Sequence, residues 1–267
     1  MKRLLTIAGS DSGGGAGIQA DLKTFHQHGC YGMSVLTAIT AQNTRGVHGV
    51  ENLSPEFVVL QLQSVVLDIG VDGAKTGMLS TAPIIRALAQ EMRELKIPNL
   101  VVDPVMRSKG GASLLREEAQ QAFSEEMVPL AELITPNLPE AAILAGIPVT
   151  TKSDMREAAV LIHEMGARRV LIKGGHLPEE ATDILYDGKE YTEFFGERIL
   201  SRNTHGTGCT YSAAIAANLA MGHEVKAAIR LAKQFTREAI KQSIALGQGI
   251  GPLNHFVASH IGGKEIP

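Results

Sequence analysis

Residues 4–21 read LLTIAGSDSGGGAGIQAD, so that a glycine-rich loop joins an apolar run to a helix-like segment. A short apolar run bounded by glycine is typical of a buried strand. Further apolar runs lie at 33–40, 73–78, 100–103, 132–135 and 170–173, with amphipathic segments between them. Strands that alternate with helices predict an α/β fold whose parallel sheet is covered on both faces.

Local signals place several element ends. Ser54-Pro55 supplies an N-cap and a proline at the first position of a helix, and Ser153 predicts the start of another helix. Residues 224–247 place apolar side chains at helical spacing. Residues 182–195 contain Asp187-Gly188, which predicts a hairpin and therefore an antiparallel edge. No linker or repeat divides the chain, so we predict a single domain, 1–267.

The composition excludes several classes of protein. The chain has 267 residues, 44% of them hydrophobic, and a net charge of −3, which gives no basic footprint for nucleic acid or an anionic membrane. The N-terminal apolar run breaks at Asp11, so it predicts a strand and not a secretory signal. Two cysteines, Cys30 and Cys209, cannot build a disulfide framework and suit a reducing compartment. We therefore expect a cytoplasmic protein.

The glycine loop resembles a dinucleotide fingerprint only in part. Gly15-Ala16-Gly17 with Ala20 matches G-x-G-x-x-A, but the second strand ends in AITAQNT (38–44), without the acidic residue that binds ribose. This difference argues against a dehydrogenase. Consecutive glycines still allow a ligand to approach the backbone closely. The chain also has no G-x-x-x-x-G-K-[ST], which excludes a Walker-type phosphate loop.

THGTGCT (204–210) offers a different phosphate site. Gly206 and Gly208 can expose backbone N–H groups at the start of a helix, where the helix dipole favours an anion. Such surroundings are expected to lower the pKa of Cys209 and favour its thiolate. The alternative is that Cys209 is a small apolar core residue. His205 is interpreted as a loop histidine and is not assigned as a base, and Cys30 is assigned to packing.

TPNLPE (135–140) places Asn137 and Glu140 three residues apart at the start of a helix. An amide oxygen and a carboxylate suit a hydrated Mg²⁺, but the same spacing also fits a capping box. Lys173 ends an apolar strand, so its charge must face a crevice or be paired. These residues follow predicted strands, and ligands of open α/β sheets bind beyond the carboxyl ends of the strands.

Together these stretches resemble the ribokinase superfamily, and more narrowly the hydroxymethylpyrimidine/phosphomethylpyrimidine kinases of thiamine biosynthesis. The matching stretches, in family order, are TIAGSDSGGGAGIQADLKT, TAITAQNT, KTGML, VVDPVM, SKGGASLL, ITPNLPEA, IKGGH and THGTGCT. The resemblance implies a ribokinase-like three-layer sandwich. Its central sheet would be mostly parallel, with helices on both faces and a small antiparallel edge.

The resemblance also implies roles for individual residues. Substrate would be bound by Gly9, Asp21, Gln42, Met78 and Val105. ATP would be bound by Asn137, Glu140, Lys173, Thr207 and Gly208, and Mg²⁺ by Asp103 and Glu140, partly through water. The catalytic group would comprise Lys173 and the anion hole Gly206, Thr207, Gly208 and Cys209, with Cys209 in the place of the superfamily's aspartate base.

The activity implied is ATP-dependent phosphorylation of 4-amino-5-hydroxymethyl-2-methylpyrimidine and then of its monophosphate. The alternative within the fold is a pyridoxal/pyridoxine kinase, which Ser108, in place of a lid cysteine, disfavours. Lys109 would belong to the same lid. The family implies a homodimer, and the net charge of −3 predicts no nucleic-acid or membrane partner. Two other classes are a thiol hydrolase or acyltransferase built on Cys209 and His205, and a catalytically silent vitamin sensor.

Overall fold

The computed structural model describes residues 1–106, 117–175, 177, 180–257, 259–261 and 264–266. The predictions for Ser108 and Lys109 lie outside these residues. The strands are β1 (Arg3–Asp11), β2 (Tyr31–Asn43), β3 (Gly46–Asn52), β4 (Gly73–Thr76), β5 (Leu100–Val102), β6 (Leu133–Ile134), β7 (Val170–Ile172), β8 (Asp183–Tyr186), β9 (Tyr191–Phe194), β10 (Ser259–Ile261) and β11 (Lys264–Ile266). The α-helices are α1 (Gly17–Gln27), α2 (Pro55–Asp68), α3 (Ala82–Leu95), α4 (Glu117–Ala122), α5 (Leu138–Ala145), α6 (Lys152–Glu164), α7 (Thr207–Ala220) and α8 (Val225–Lys241).

Nine strands form the central sheet, in the order β3-β2-β1-β4-β5-β6-β7-β8-β9. Neighbouring strands along β2-β1-β4-β5-β6-β7 pair in parallel. By contrast, β8 pairs antiparallel with β7 and β9 pairs antiparallel with β8. The predicted parallel sheet and its antiparallel edge are therefore confirmed. A second antiparallel edge, formed by β3 against β2, was not predicted. The sequence of β3, GVHGVEN, is mostly exposed and contains two glycines, so it gives no strand pattern.

Adjacent residues of each central strand face opposite layers. Leu5, Val102, Ile134 and Ile172 pack in one core with α2 to α6, and Leu4, Val101, Leu133 and Leu171 pack in the other with α1, α7 and α8. The predicted three layers are therefore confirmed. Residues 210–220 of α7 are all buried, because alanine lets the sheet and α8 approach the helix closely. Among the described helices, none is long and apolar enough to cross a bilayer.

The helix ends test the predicted caps. Ser54 is confirmed, because its hydroxyl accepts a hydrogen bond from the Phe57 N–H. The prediction of Ser153 as an N-cap is wrong, since α6 begins at Lys152 and Thr151 is its N-cap. The Thr151 hydroxyl and the Asp154 carboxylate form a capping box, in which each accepts from the other residue's backbone N–H.

Candidate active site

A large cavity, of about 1160 Å³, lies at the carboxyl ends of the parallel strands. It is lined by the ends of β1, β2, β4 and β5 and by the N-termini of α5 and α7. Eleven of the residues assigned roles from the sequence line it: Gly9, Gln42, Met78, Asp103, Val105, Asn137, Glu140, Lys173, Thr207, Gly208 and Cys209. Residues that are far apart in the chain therefore meet around one space, as predicted.

Asp21 does not line this cavity. It is completely buried, its two carboxylate oxygens accept from Lys75 Nζ at 3.0 and 3.1 Å, and it also accepts from the Thr6 hydroxyl. These contacts do not support the predicted hydrogen bond from Asp21 to the substrate, because the side chain points from α1 into the protein. Its position three residues after Ile18 and four before Phe25, both buried, places it on the core face of the helix.

Lys75 is a residue that the sequence reading missed. It lies in the fully buried strand β4 and forms an ion pair with Asp21 in which both side chains have no exposure. A Cβ added to Gly77, which lines the cavity, would lie 2.9 Å from Lys75 Nζ, so the ammonium group sits directly beneath the cavity wall. Burial lowers the pKa of Lys75, but the charges of Asp21, Cys209 and Asp103 and the hydrogen bond to Asp21 together outweigh burial and raise that pKa above its ordinary value. The sequence signal was a lone charge inside an apolar strand.

Asp11 organises the glycine loop that follows β1. Its carboxylate accepts from the backbone N–H groups of Gly13, Gly15 and Ala16 at 2.8 to 3.0 Å. Burial raises the pKa of Asp11. The contact with His205 and the hydrogen bonds from the loop lower that pKa by a larger amount, so that it lies below its ordinary value. Asp11 is therefore ionised at neutral pH and acts only as an acceptor.

His205 connects this loop to the turn before α7. Its Nε2 lies 2.9 Å from Asp11 Oδ2 and 3.3 Å from the Gln42 amide nitrogen, and all three residues line the cavity. His205 is therefore a hydrogen-bonded residue of the loop before α7, in agreement with its interpretation as a loop histidine. Nε2 contacts Asp11 and Gln42 and not the thiol of Cys209, so the structure gives no support to a hydrolase built on a cysteine–histidine pair.

The THGTGCT turn opens α7 as predicted. Gly206 is the N-cap with a φ of 86°, a conformation that favours glycine. A Cβ there would overlap the Gly15 carbonyl oxygen, so Gly206 packs behind the wall and does not itself line the cavity. Thr207, Gly208 and Cys209 form the first turn. The Thr207 N–H donates to the Thr204 carbonyl oxygen at 3.4 Å, whereas the N–H groups of Gly208 and Cys209 have no acceptor within the helix. These groups and the helix dipole make the turn suitable for a phosphate.

The Cys209 thiol is not in the state that the sequence predicted. Burial raises its pKa to about 11, and although Lys75 and an N–H group of Gly17 act in the opposite direction, they do not offset burial. The prediction of a lowered pKa is therefore wrong. The helix N-terminus does not produce a thiolate here, because burial and the negative charges of Asp21 and Asp103 oppose it.

Lys173 and Asp103 form an ion pair on the cavity wall, with Nζ 2.8 Å from Oδ1. Asp103 also accepts from the hydroxyl of Ser212, in α7. Burial raises the pKa of Asp103, but Lys173 and Lys75 outweigh burial and the pKa lies below its ordinary value. Lys173 is thus both paired and directed at the cavity, next to Gly208, whose Cβ would lie 3.5 Å from Nζ.

Asn137 and Glu140 form a capping box at the start of α5. The Asn137 side chain accepts from the Glu140 N–H, and the Glu140 carboxylate accepts from the Asn137 N–H. The capping-box interpretation is confirmed. Burial, together with the negative charge of Asp103, raises the pKa of Glu140 to about 7 despite the opposing charge of Lys173. A buried carboxyl that ionises with difficulty beside a second carboxylate is suited to a cation between or near them.

The described residues contain no cluster of three or more histidine, cysteine or acidic side chains placed to hold a metal. A divalent cation bound by Asp103 and Glu140 would therefore take its other ligands from water and phosphate, as Mg²⁺ commonly does. A paired lysine, two carboxylates and a phosphate-binding helix start face one cavity. This arrangement defines an α/β enzyme that handles a phosphorylated small molecule.

Comparison with known proteins identifies the family. The profile of phosphomethylpyrimidine kinase matches residues 11–254, and the chain belongs to this family. The chain is 52% identical over 257 residues to the thiamine biosynthesis bifunctional protein ThiED of Geobacter sulfurreducens, covering 96% of this chain but only 52% of that protein. It therefore spans about half of that relative's length. It is 47% identical over 256 residues to the hydroxymethylpyrimidine/phosphomethylpyrimidine kinase of Bacillus subtilis, covering 95% of this chain and 94% of that one.

A solved structure shows the same fold. The ADP complex of Bacillus subtilis pyridoxal kinase superposes with a TM-score of 0.90 and 48% identity, covering 96% of this chain and 97% of that one. The ribokinase-like fold expected from the sequence is thereby confirmed.

Proposed function

We propose that the chain transfers the γ-phosphoryl group of ATP to 4-amino-5-hydroxymethyl-2-methylpyrimidine and then to the monophosphate so formed. The observation that carries this proposal is the position of the Lys173–Asp103 pair beside the first turn of α7, in the cavity that also contains Gln42. Family membership supports the same reaction. In each step the acceptor oxygen forms a bond to the γ-phosphorus, the bond to the β-phosphate bridging oxygen breaks, and ADP leaves.

Lys173 and the N–H groups of Gly208 and Cys209 would stabilise the charge on the transferring phosphoryl group, and the Thr207 N–H would join them by exchanging the Thr204 carbonyl oxygen for the phosphate. Phosphoryl transfer has a loose transition state, so positioning and charge stabilisation supply most of the catalysis. Asn137 and Glu140 would bind the nucleotide. Asp103 and Glu140 would hold Mg²⁺, partly through water, and the ion would neutralise phosphate charge when bound. The raised pKa of Glu140 supports this assignment, because a nearby cation stabilises the ionised carboxylate.

Cys209 would orient the hydroxyl group of the first acceptor against the turn, and the small thiolate fraction would take up the hydroxyl proton late in the transfer. Its raised pKa means that a ready thiolate is scarce. The second acceptor is a phosphate oxygen that already carries negative charge, so that step requires no base. Replacing Cys209 by alanine should therefore slow the first phosphorylation by roughly 10²-fold and the second much less. Gly9, Met78 and Val105 would pack around the pyrimidine ring.

The alternative is a pyridoxal kinase, which the structural similarity to the Bacillus subtilis enzyme favours. A direct test measures ADP formation with hydroxymethylpyrimidine, its monophosphate and pyridoxal as separate acceptors. We expect both pyrimidines to be phosphorylated, and Lys173→Met to abolish both reactions. Phosphorylation of pyridoxal without either pyrimidine would refute the proposal.

We further propose a cytoplasmic homodimer. Both cysteines are free thiols, which suits a reducing compartment. Apolar side chains are exposed at the β3 edge of the sheet and on the neighbouring α2: Ile39, Val50, Phe57 and Leu60. Analytical ultracentrifugation of wild type and Leu60→Glu tests the assembly. A dimer that the substitution weakens would support this edge as the interface, and a wild-type monomer would refute it.

A further inference from the structure

In the present orientation of the Gln42 side-chain amide, neither of its two polar ends faces a suitable hydrogen-bond partner. The amide nitrogen lies 3.3 Å from His205 Nε2, and Oε1 lies 3.3 Å from the Thr40 hydroxyl. The Thr40 hydroxyl has one hydrogen, and its shorter contact, 2.8 Å, is to the Ser10 carbonyl oxygen. Oε1 is therefore left facing an oxygen whose hydrogen is already used.

The second conflict is at His205. Asp11 is an ionised carboxylate that also accepts three backbone N–H groups, so it cannot donate. His205 Nε2, 2.9 Å from Asp11 Oδ2, must then carry the hydrogen. A protonated Nε2 cannot accept from the Gln42 amide nitrogen. As it stands, that contact sets one donor against another.

Rotating the Gln42 amide by 180° about its terminal bond removes both conflicts. Oε1 then shares the single hydrogen of His205 Nε2 with Asp11 in a three-centre bond, in which Asp11 is the nearer acceptor, and the amide nitrogen donates to the Thr40 hydroxyl oxygen, which remains free to accept. The two ends of an amide are nearly equal in shape, so hydrogen bonding decides between them. The Gln42 backbone is held by Ser12, whose hydroxyl accepts from the Gln42 N–H and donates to its carbonyl oxygen, each at 2.8 Å.

We infer that Asp11 and His205 are positioning residues that fix the polarity of the Gln42 amide, with its oxygen towards the THGTGCT turn and its nitrogen towards Thr40. His205 precedes Thr207 by two residues, so the acceptor end of the amide lies on the side of the first turn of α7, Thr207 to Cys209, which we call the phosphoryl cradle. The next step rests on the proposed function: the fixed polarity makes Gln42 a residue that determines which substrate is accepted for phosphorylation.

The chemistry of the two competing acceptors shows why polarity matters. In the hydroxymethylpyrimidine, the carbon next to the one bearing the hydroxymethyl group carries an amine, which donates, and the next ring position is a nitrogen, which accepts. With the hydroxymethyl group at the cradle, the amine meets Gln42 Oε1 and the ring nitrogen meets the amide N–H. In pyridoxal the neighbouring carbon carries an aldehyde, which only accepts. An acceptor facing an acceptor is left unpaired, so the fixed polarity disfavours pyridoxal.

The first test reads the tautomer of His205 without a variant in the assay. Long-range ¹H–¹⁵N correlation of the labelled wild-type protein at pH 8 identifies which ring nitrogen carries hydrogen, and comparison with His205→Leu assigns the signal. We expect hydrogen on Nε2. Hydrogen on Nδ1 alone would overturn the inference, because Nε2 would then accept from the amide as it stands.

The second test measures specificity. We expect His205→Leu to lower the ratio of kcat/KM for hydroxymethylpyrimidine to that for pyridoxal by about tenfold, with the KM for ATP unchanged. His163→Leu is the matched control. The His163 ring, like that of His205, is half-buried and hydrogen-bonded, in this case to the Ala167 carbonyl oxygen, but it lies away from the cavity. It should leave the ratio unaltered.

An unchanged ratio in a folded His205→Leu protein would overturn the role of His205 in specificity. If the variant does not fold, the tautomer of the wild-type protein still decides the amide polarity. If the wild-type protein phosphorylates neither pyrimidine, the proposed function fails, whereas the tautomer result remains valid on its own.

Discussion

Glu140→Gln should raise the free energy of unfolding at alkaline pH and leave it nearly unchanged at acid pH. The pKa of Glu140 is raised from 4.5 to about 7 by burial and by the charge of Asp103. A carboxyl whose pKa is higher in the folded state binds its proton more tightly there. Its contribution to stability is therefore complete below pH 4.5 and is lost as the pH rises through 7.

The difference between these two pKa values corresponds to about 3 kcal/mol of unfolding free energy above pH 8. Glutamine cannot ionise, so it avoids this loss, and its single carbonyl oxygen can still complete the capping box. It loses one acceptor, which costs about 1 kcal/mol. We therefore expect Glu140→Gln to be more stable than wild type by about 2 kcal/mol at pH 8.5 and equal within about 0.5 kcal/mol at pH 5.

The assay is urea unfolding at both pH values, with the second capping box as the matched control. Asp154, in the exposed box at the start of α6, has its pKa lowered to about 2 by hydrogen bonds from Thr150 and Thr151. Asp154→Asn should therefore destabilise the protein above pH 4, the opposite sign. A Glu140→Gln variant that is less stable than wild type at pH 8.5 would refute the reasoning, because Glu140 would then be a stabilising carboxylate.

Three further predictions concern the cavity and its floor. At pH 8, iodoacetamide should alkylate Cys209 about 100-fold more slowly than an ordinary thiol, as peptide mass spectrometry would show; an ordinary rate would contradict the raised pKa. Lys75→Met should lower the unfolding free energy by about 3–5 kcal/mol by leaving Asp21 unpaired, and Asp21→Leu/Lys75→Met should recover most of it; equal losses would show that the pair is not coupled. Gly206→Ala should reduce the melting temperature sharply, because the added Cβ would overlap the backbone. Gly208→Ala, whose Cβ would have its nearest contact at 3.5 Å, should fold normally and lose at least 10²-fold in kcat. The reverse pattern would contradict the proposed phosphoryl cradle.

The sequence predicts the architecture because alternating strands and helices leave few arrangements. Once the strands are parallel, their carboxyl ends meet at one edge, so Gln42, Asp103 and Lys173 converge without any knowledge of contacts. The strand β3 escaped prediction because an exposed edge strand with two glycines has no apolar alternation.

Burial separates the site from two of the sequence-based expectations. The family resemblance implied that Asp21 binds substrate, but its helical spacing with Ile18 and Phe25 turns it into the core, where it pairs with Lys75. The pKa of Cys209 was predicted from the helix dipole alone, whereas desolvation is the larger effect. Both outcomes depend on which elements cover a side chain, and that information is not local in sequence.

The most direct test of the account is ADP formation by purified protein with hydroxymethylpyrimidine and ATP, followed by phosphorus NMR of the products. We predict successive appearance of the monophosphate and the diphosphate, with Lys173→Met forming neither. Accumulation of ADP without either pyrimidine phosphate would contradict the assignment of the cavity as a site of phosphoryl transfer to this acceptor.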